Sequence, residues 1–195
     1  MFNLIYIVQT FGLLGITTII FAESGLFFGF FLPGDSILFT AGVLASQGFL
    51  NISLLVFCVW IAAVLGDTVG YWFGARIGIK MFNKEKSFFF NKKYPERAHA
   101  FYERRGGWAI VLARFIPAVR TFVPIMAGVG KMSYRKFLGY NIIGGTIWAF
   151  GMTLGGYFLG RSIPNIDSYI LPIVLVIIVL SALPAFSEII KSRRS

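Results

Sequence analysis

Four stretches of this chain, Met1–Ala22, Ser36–Gly66, Phe137–Gly160 and Ser168–Ser187, contain no Asp, Glu, Lys or Arg. Roughly 20 apolar residues cross a bilayer as a helix, so runs of this length make the chain an integral membrane protein. Composition agrees: 13% of the 195 residues are charged, against about 25% in an ordinary soluble domain. The start lacks the basic n-region and small-residue cleavage pattern of a secretory signal, so it is expected to remain as the first span. The single cysteine, Cys58, lies inside an apolar run, which excludes an internal disulfide and fits no metal-ligand spacing.

A net charge of +10 raises the question of nucleic acid, and its distribution answers it. Lys80, Lys84, Lys86, Lys92, Lys93, Arg97, Arg104 and Arg105 lie in one connecting segment. Lys131, Arg135 and Lys136 form a second cluster, and Lys191, Arg193 and Arg194 a third, so fourteen of the 18 basic residues sit in three places. Basic loops mark the cytoplasmic side of a membrane protein. The charge is therefore topological, and short loops between spans offer nucleic acid no reading surface.

Six apolar segments can be drawn, at about 4–22, 24–47, 52–78, 107–130, 137–160 and 168–190. If all six crossed, the 79–106 loop would face away from both other basic clusters. If 107–130 enters and leaves by one face, all three clusters are cytoplasmic. That segment holds Arg114, Pro117, Arg120 and Pro124. Proline interrupts helix hydrogen bonding, and each arginine at a helix centre costs roughly 2.5–3.5 kcal/mol on insertion scales. A broken, charged segment at membrane depth is tolerated only against protein or a wet cavity.

An internal repeat places 24–47. Phe31-Leu32-Pro33-Gly34 with Ala41-Gly42-Val43 echoes Phe115-Ile116-Pro117-Ala118 with Ala127-Gly128-Val129. Gly70-Tyr71-Trp72-Phe73-Gly74 echoes Gly156-Tyr157-Phe158-Leu159-Gly160, at offsets of 84 to 86 residues. The expected fold is an all-α integral membrane domain over residues 1–195, with about four transmembrane helices. Two re-entrant helical hairpins, at 24–47 and 107–130, would enter from opposite faces as an inverted repeat, with both termini cytoplasmic. The cytoplasmic 79–106 loop suits a short amphipathic helix opened by Pro95 and closed by Gly106-Gly107. Its basic residues read as orientation signals before anionic-lipid ligands, and His99 as solvated.

Ionisable residues inside apolar segments are functional hypotheses by default. Five qualify: Glu23, Asp35, Asp67, Arg114 and Arg120. Opposed hairpins would bring the acids and arginines together near the midplane, where they serve as structural ion pairs, as a functional site, or as both. Arginine suits phosphate because its planar fork donates two parallel hydrogen bonds and stays charged. Desolvation and nearby arginine act in opposite directions on a carboxylate's hold on its proton, so Glu23 or Asp35 is expected to exchange protons near neutral pH. No nucleophile–base pair, clustered His or Cys, or phosphate loop stands out. No catalytic residue, metal or cofactor is therefore expected. Gly66, Gly70, Gly74 and Gly78 recur every four residues as a close-packed helix face with an unnamed partner. Asp67 adjoins that face, bonded to a hairpin backbone or joined to a proton path.

These residues resemble a family. Glu23, Phe31-Leu32-Pro33-Gly34-Asp35, Ala41-Gly42 and Gly66-Asp67-Thr68-Val69-Gly70-Tyr71 look like the first half of the DedA family, also called SNARE-associated Golgi or VTT-domain proteins. Phe101-Tyr102-Glu103-Arg104-Arg105-Gly106-Gly107, Arg114-Phe115-Ile116-Pro117-Ala118-Val119-Arg120, Pro124 and Ala127-Gly128 look like the second. The match covers about residues 20–160. The resemblance implies a lipid transporter or scramblase driven by the proton motive force, with Glu23, Asp35, Arg114 and Arg120 as its functional residues. The expected function is a bacterial plasma-membrane flippase that returns undecaprenyl phosphate to the cytoplasmic leaflet. Arg114 and Arg120 would bind the phosphate, and Glu23, Asp35 and Asp67 would carry protons. A general phospholipid scramblase acting on phosphatidylethanolamine is the alternative, followed by an intramembrane lipid-phosphate enzyme and a structural subunit. The expected partners are the lipid and protons; the oligomeric state is open, a homo-oligomer included.

The charge pattern predicts labelling. With Cys58 replaced, Ser87→Cys and Lys131→Cys should react only from the cytoplasm and Asn165→Cys only from outside. Reaction of Lys131→Cys from outside in intact cells would remove the second hairpin.

Overall fold

The computed structural model describes residues 4–25, 34–78 and 106–162. Among these, every regular element is a helix: α1 (Leu4–Gly25), α2 (Gly34–Ser46), α3 (Ile52–Phe73), α4 (Trp108–Ala113), α5 (Pro117–Val129) and α6 (Tyr134–Ser162). A π turn, Gly74–Gly78, extends α3. The expected amphipathic helix near Pro95, His99, the 168–190 segment and the third basic cluster lie outside the described residues.

Local sequence sets the boundaries. Asn51 caps α3, its side chain accepting a hydrogen bond from the Leu54 amide at 3.0 Å. Gly48 turns the chain between α2 and α3 at φ 85°, where a side chain would be strained. The residue before a proline avoids helical geometry. Accordingly Ile116 is extended (φ −115°, ψ 105°), which separates α4 from α5 beside Arg114. At 1.5 Å per residue, α1, α3 and α6 are long enough to cross a bilayer of about 30 Å, whereas α2, α4 and α5 are not. Of these, α3 and α6 are the two that are apolar enough as well among the described residues.

Large apolar side chains face outward: Leu54, Phe57, Leu65 and Trp72 on α3, and Ile143, Ile147, Phe150 and Phe158 on α6. The interior is built largely of small residues, among them Ala41, Ala45, Ala62, Ala63, Ala127 and Ala149. Lipid tails are as apolar as leucine, so helices associate in a bilayer by close backbone approach rather than by hiding apolar surface.

Two glycine seams do this here, and Gly42 and Gly128, at matched positions of the repeat, supply one side of each. In the first, α2 lies on α6. A Cβ at Gly42 would overlap the Thr153 carbonyl, and one at Gly156 the Phe39 carbonyl. In the second, α5 lies on α3, where Cβ atoms at Gly128 and Gly74 would overlap the carbonyls of Tyr71 and Ile125. The partner of the Gly66–Gly70–Gly74 face is thus α5 together with α1, whose Ser24 and Gly25 meet Gly66. Each short helix of one repeat half packs on the long helix of the other.

Contacts give the directions. Gly12 lies beside Leu50, just before α3, and Gly25 beside Gly66, well along it. Helices α1 and α3 therefore run the same way, and α2 is the return stroke between them. The boundary expected at residue 24 falls inside α1, which carries Glu23 on its last turns. Gly34, at the start of α2, meets Glu23, and Ser46, at its end, meets Gly160. Gly128, near the end of α5, meets Ala75 at the far end of α3. Helices α2 and α5 thus begin near the middle of the bundle and run to opposite ends.

Forcing a branched side chain into either seam must separate two backbones, costing at least about 1–3 kcal/mol each. Gly42→Leu and Gly128→Leu should lose most monodisperse protein by detergent size-exclusion chromatography. Gly151→Leu, at a position with open space around it, should accumulate normally.

Candidate functional site

The helix starts and ends gathered at the middle of the bundle carry its buried charge. Arg120, in the first turns of α5, donates through Nη1 to Asp35 Oδ1 at 2.6 Å and through Nη2 to Glu23 Oε1. Asp35 comes from the first turn of α2 and Glu23 from the end of α1. One guanidinium thus joins three helices. Glu23 is 1% exposed. A Cβ at Gly34 would overlap its carboxylate, so glycine at that position lets α2 start against Glu23 without displacing that side chain.

Arg114 caps the end of α4 and is also buried. Its Nη2 donates to Asp67 Oδ2 on α3 and to Asn141 Oδ1 on α6, the latter at 2.8 Å. Asn141 in turn donates through Nδ2 to the Val64 carbonyl at 3.0 Å. The guanidinium lies along Gly145 of α6, where a Cβ would stand 3.3 Å from Arg114 Nη1.

Trp148, the midpoint of α6, joins the two pairs. Its Nε1 donates to Asp35 Oδ1 at 2.8 Å. Its ring centroid is 5.1 Å from Arg120 Cζ and 5.7 Å from Arg114 Cζ, within cation–π range of both.

All five ionisable residues singled out in the sequence are therefore brought together, in an unequal division. Glu23 and Asp35 share Arg120. Asp67 holds Arg114 through its side chain rather than bonding a hairpin backbone. Three carboxylates face two guanidiniums, so the fully ionised cluster carries one net negative charge, and Glu23 Oε2 is buried with no hydrogen-bond partner among the described residues. A buried carboxylate oxygen without a donor is costly, whereas one proton on the cluster makes it neutral.

Asn141 and Trp148 escaped the sequence reading. Both carry a readable signal, since each is polar at one end yet lies deep in an uncharged run, and membrane tryptophans gather at the interfaces rather than mid-span. No cluster of metal-binding side chains occurs among the described residues. A groove of about 530 Å³ between α3 and α6, lined by Val56, Phe57, Trp60 and Phe150, is apolar and does not include the charged cluster.

Removing one partner of a buried ion pair strands the other, at a cost of about 3–5 kcal/mol. Asp67→Leu should therefore lower the thermal unfolding temperature in detergent sharply, and adding Arg114→Leu should recover much of the loss. If the double variant is no better than the single one, the stability does not come from this pairing.

Residues 32–158 match the VTT domain family. Protein DedA of Escherichia coli K12 is 46% identical over 179 residues, covering 91% of this chain and 81% of that protein. The uncharacterized membrane protein Rv0364 of Mycobacterium tuberculosis is 47% identical over 186 residues, covering 93% and 81%. The inner membrane protein YqjA of E. coli K12 is 33% identical over 144 residues, covering 74% and 66%. No solved structure matches the chain. The outward apolar belts, the small-residue seams and these relatives lead to one assignment: the chain is a helical membrane protein of the DedA family.

Proposed function

We propose that this protein is a proton-coupled lipid flippase of the bacterial plasma membrane, returning undecaprenyl phosphate from the outer to the cytoplasmic leaflet. The carrying observation is Arg120, whose two terminal nitrogens are occupied by carboxylate oxygens from two different helices at mid-bundle. A fork that holds two carboxylate oxygens in this way also fits two oxygens of a phosphate. Glu23 and Asp35 are the place-holders. When each takes a proton it loses its charge and releases Arg120 to the lipid head group; when the phosphate leaves, the protons leave and the carboxylates return. Arg114 adds positive charge from its Asp67–Asn141 seat.

The proposed topology puts the 79–106 segment and Lys131–Lys136 in the cytoplasm. Residues 107–130 form a re-entrant hairpin from that side, and α1 with α2 form its counterpart from outside. Since α1 runs parallel to α3 and ends beside its middle, the start of α1 faces outside in this arrangement, in place of the first span and the cytoplasmic N-terminus expected from the four-span reading.

Energetics give protons a purpose. Each negative charge carried inward against an inside-negative potential costs roughly 2.3 kcal/mol per 100 mV. A phosphate monoester carries nearly two charges at neutral pH, so the unassisted step costs roughly 4–5 kcal/mol per 100 mV, about a thousandfold in equilibrium ratio. Protons moving with the lipid cancel that charge.

A pH gradient, acidic outside, should accelerate inward undecaprenyl phosphate transport in proteoliposomes. Glu23→Gln and Asp35→Asn should each abolish the acceleration. Arg120→Lys and Arg114→Lys should insert normally yet lose most transport, because lysine keeps the charge without the fork. Transport by the intact protein that ignores the gradient rejects proton coupling. A stronger response with phosphatidylethanolamine selects scrambling of that lipid, and release of free phosphate selects an enzyme.

A further inference from the structure

The cluster contains a side chain that neither gives nor takes a charge. Trp148 is 4% exposed, and it touches Asp35 through its N–H and both guanidiniums through its ring. Asp35 Oδ1 accepts from two donors at once, Arg120 Nη1 and Trp148 Nε1. Only the first of these is lost if Arg120 turns to another anion.

We propose that Trp148 is a positioning residue of the transport site. Its indole N–H remains with Asp35 when a phosphate takes Arg120, and its ring keeps the two guanidiniums in place during the exchange. The inference rests on the transport reading above. Asp35, whose side chain is 19% exposed, gives up one donor on lipid binding, and a partly buried oxygen left with none carries a desolvation penalty. Trp148 removes that penalty from the lipid-bound state alone. The ring acts alongside it: arginine that has let go of its carboxylates still has the negative face of the indole to rest on. A leucine of similar apolarity would fill space and supply neither contact.

The test uses purified full-length protein in proteoliposomes with undecaprenyl phosphate. Trp148→Phe keeps a ring and loses the N–H. It should raise the half-saturating lipid concentration about tenfold, leaving the maximal rate and the thermal unfolding temperature near those of the intact protein. Trp148→Leu, which loses the ring as well, should raise it by about a further tenfold. Trp148→Tyr, which carries a phenolic donor, should recover part of the Phe defect. Half-saturation of the Phe variant within about twofold of the intact protein overturns the proposal. So does a loss confined to the maximal rate, and so does a Phe variant without a thermal transition, which would make Trp148 a packing residue. An intact protein that moves no lipid phosphate removes the transport reading itself, and this inference with it.

Discussion

An unpaired guanidinium is costly inside the helix bundle of a membrane protein, and Arg120 is paired with Glu23 from α1 and Asp35 from α2. That demand shapes much of the chain. For Arg120 to reach both acids, α5 has to begin at mid-depth, which requires the helix break before Pro117. For Asp35 to reach Arg120, α2 has to begin at mid-bundle too, against a carboxylate that a side chain at position 34 would displace. Short helices that stop halfway leave backbone groups to be satisfied and can persist in a membrane only where protein surrounds them. The long helices α3 and α6 provide that surround, and they also contribute Asp67, Asn141 and Trp148 to the interior.

Packing follows from the same geometry. A helix that must lie close along another for its whole length needs backbone-to-backbone contact, and the glycines at 42, 128, 74 and 156 provide it. Elsewhere tighter links are polar. The Tyr71 hydroxyl donates to the Met132 carbonyl, and its ring stacks on Phe137 with centroids 4.6 Å apart, tying the end of α3 to the start of α6. Trp60 Nε1 donates to Thr146 Oγ1 at 3.0 Å and ties the same helices nearer the other end.

Much of this was legible in the sequence, for identifiable reasons. Charge is so costly in lipid that Glu23, Asp35, Asp67, Arg114 and Arg120 announce themselves by type and place alone. The glycine spacing and the repeat were readable because both depend on local identity. The pairing was less so. Which acid meets which arginine depends on how α1, α2 and α5 converge, and the equivalence of charges hides it: Asp67 was equally compatible with a backbone partner. The end of α1 was misplaced by a few residues, because Glu23 looks like the start of a new segment although it is part of the last turns of the helix. Asn141 and Trp148 carry no charge and so raised no alarm, although they make three of the cluster's hydrogen bonds between them.

The position of Trp148 at the midpoint of α6 has an electrical corollary. In the proposed transport cycle, a charge bound beside it would have crossed about half of the membrane field whichever face it came from, so occupancy itself would respond to voltage, by roughly 1.2 kcal/mol per charge per 100 mV. The electrical work would then be divided equally between the step into the site and the step out of it. On the proposed function, a carrier so divided would take its sense of traffic from the cell's ion gradients, and it would run backwards if those gradients were reversed.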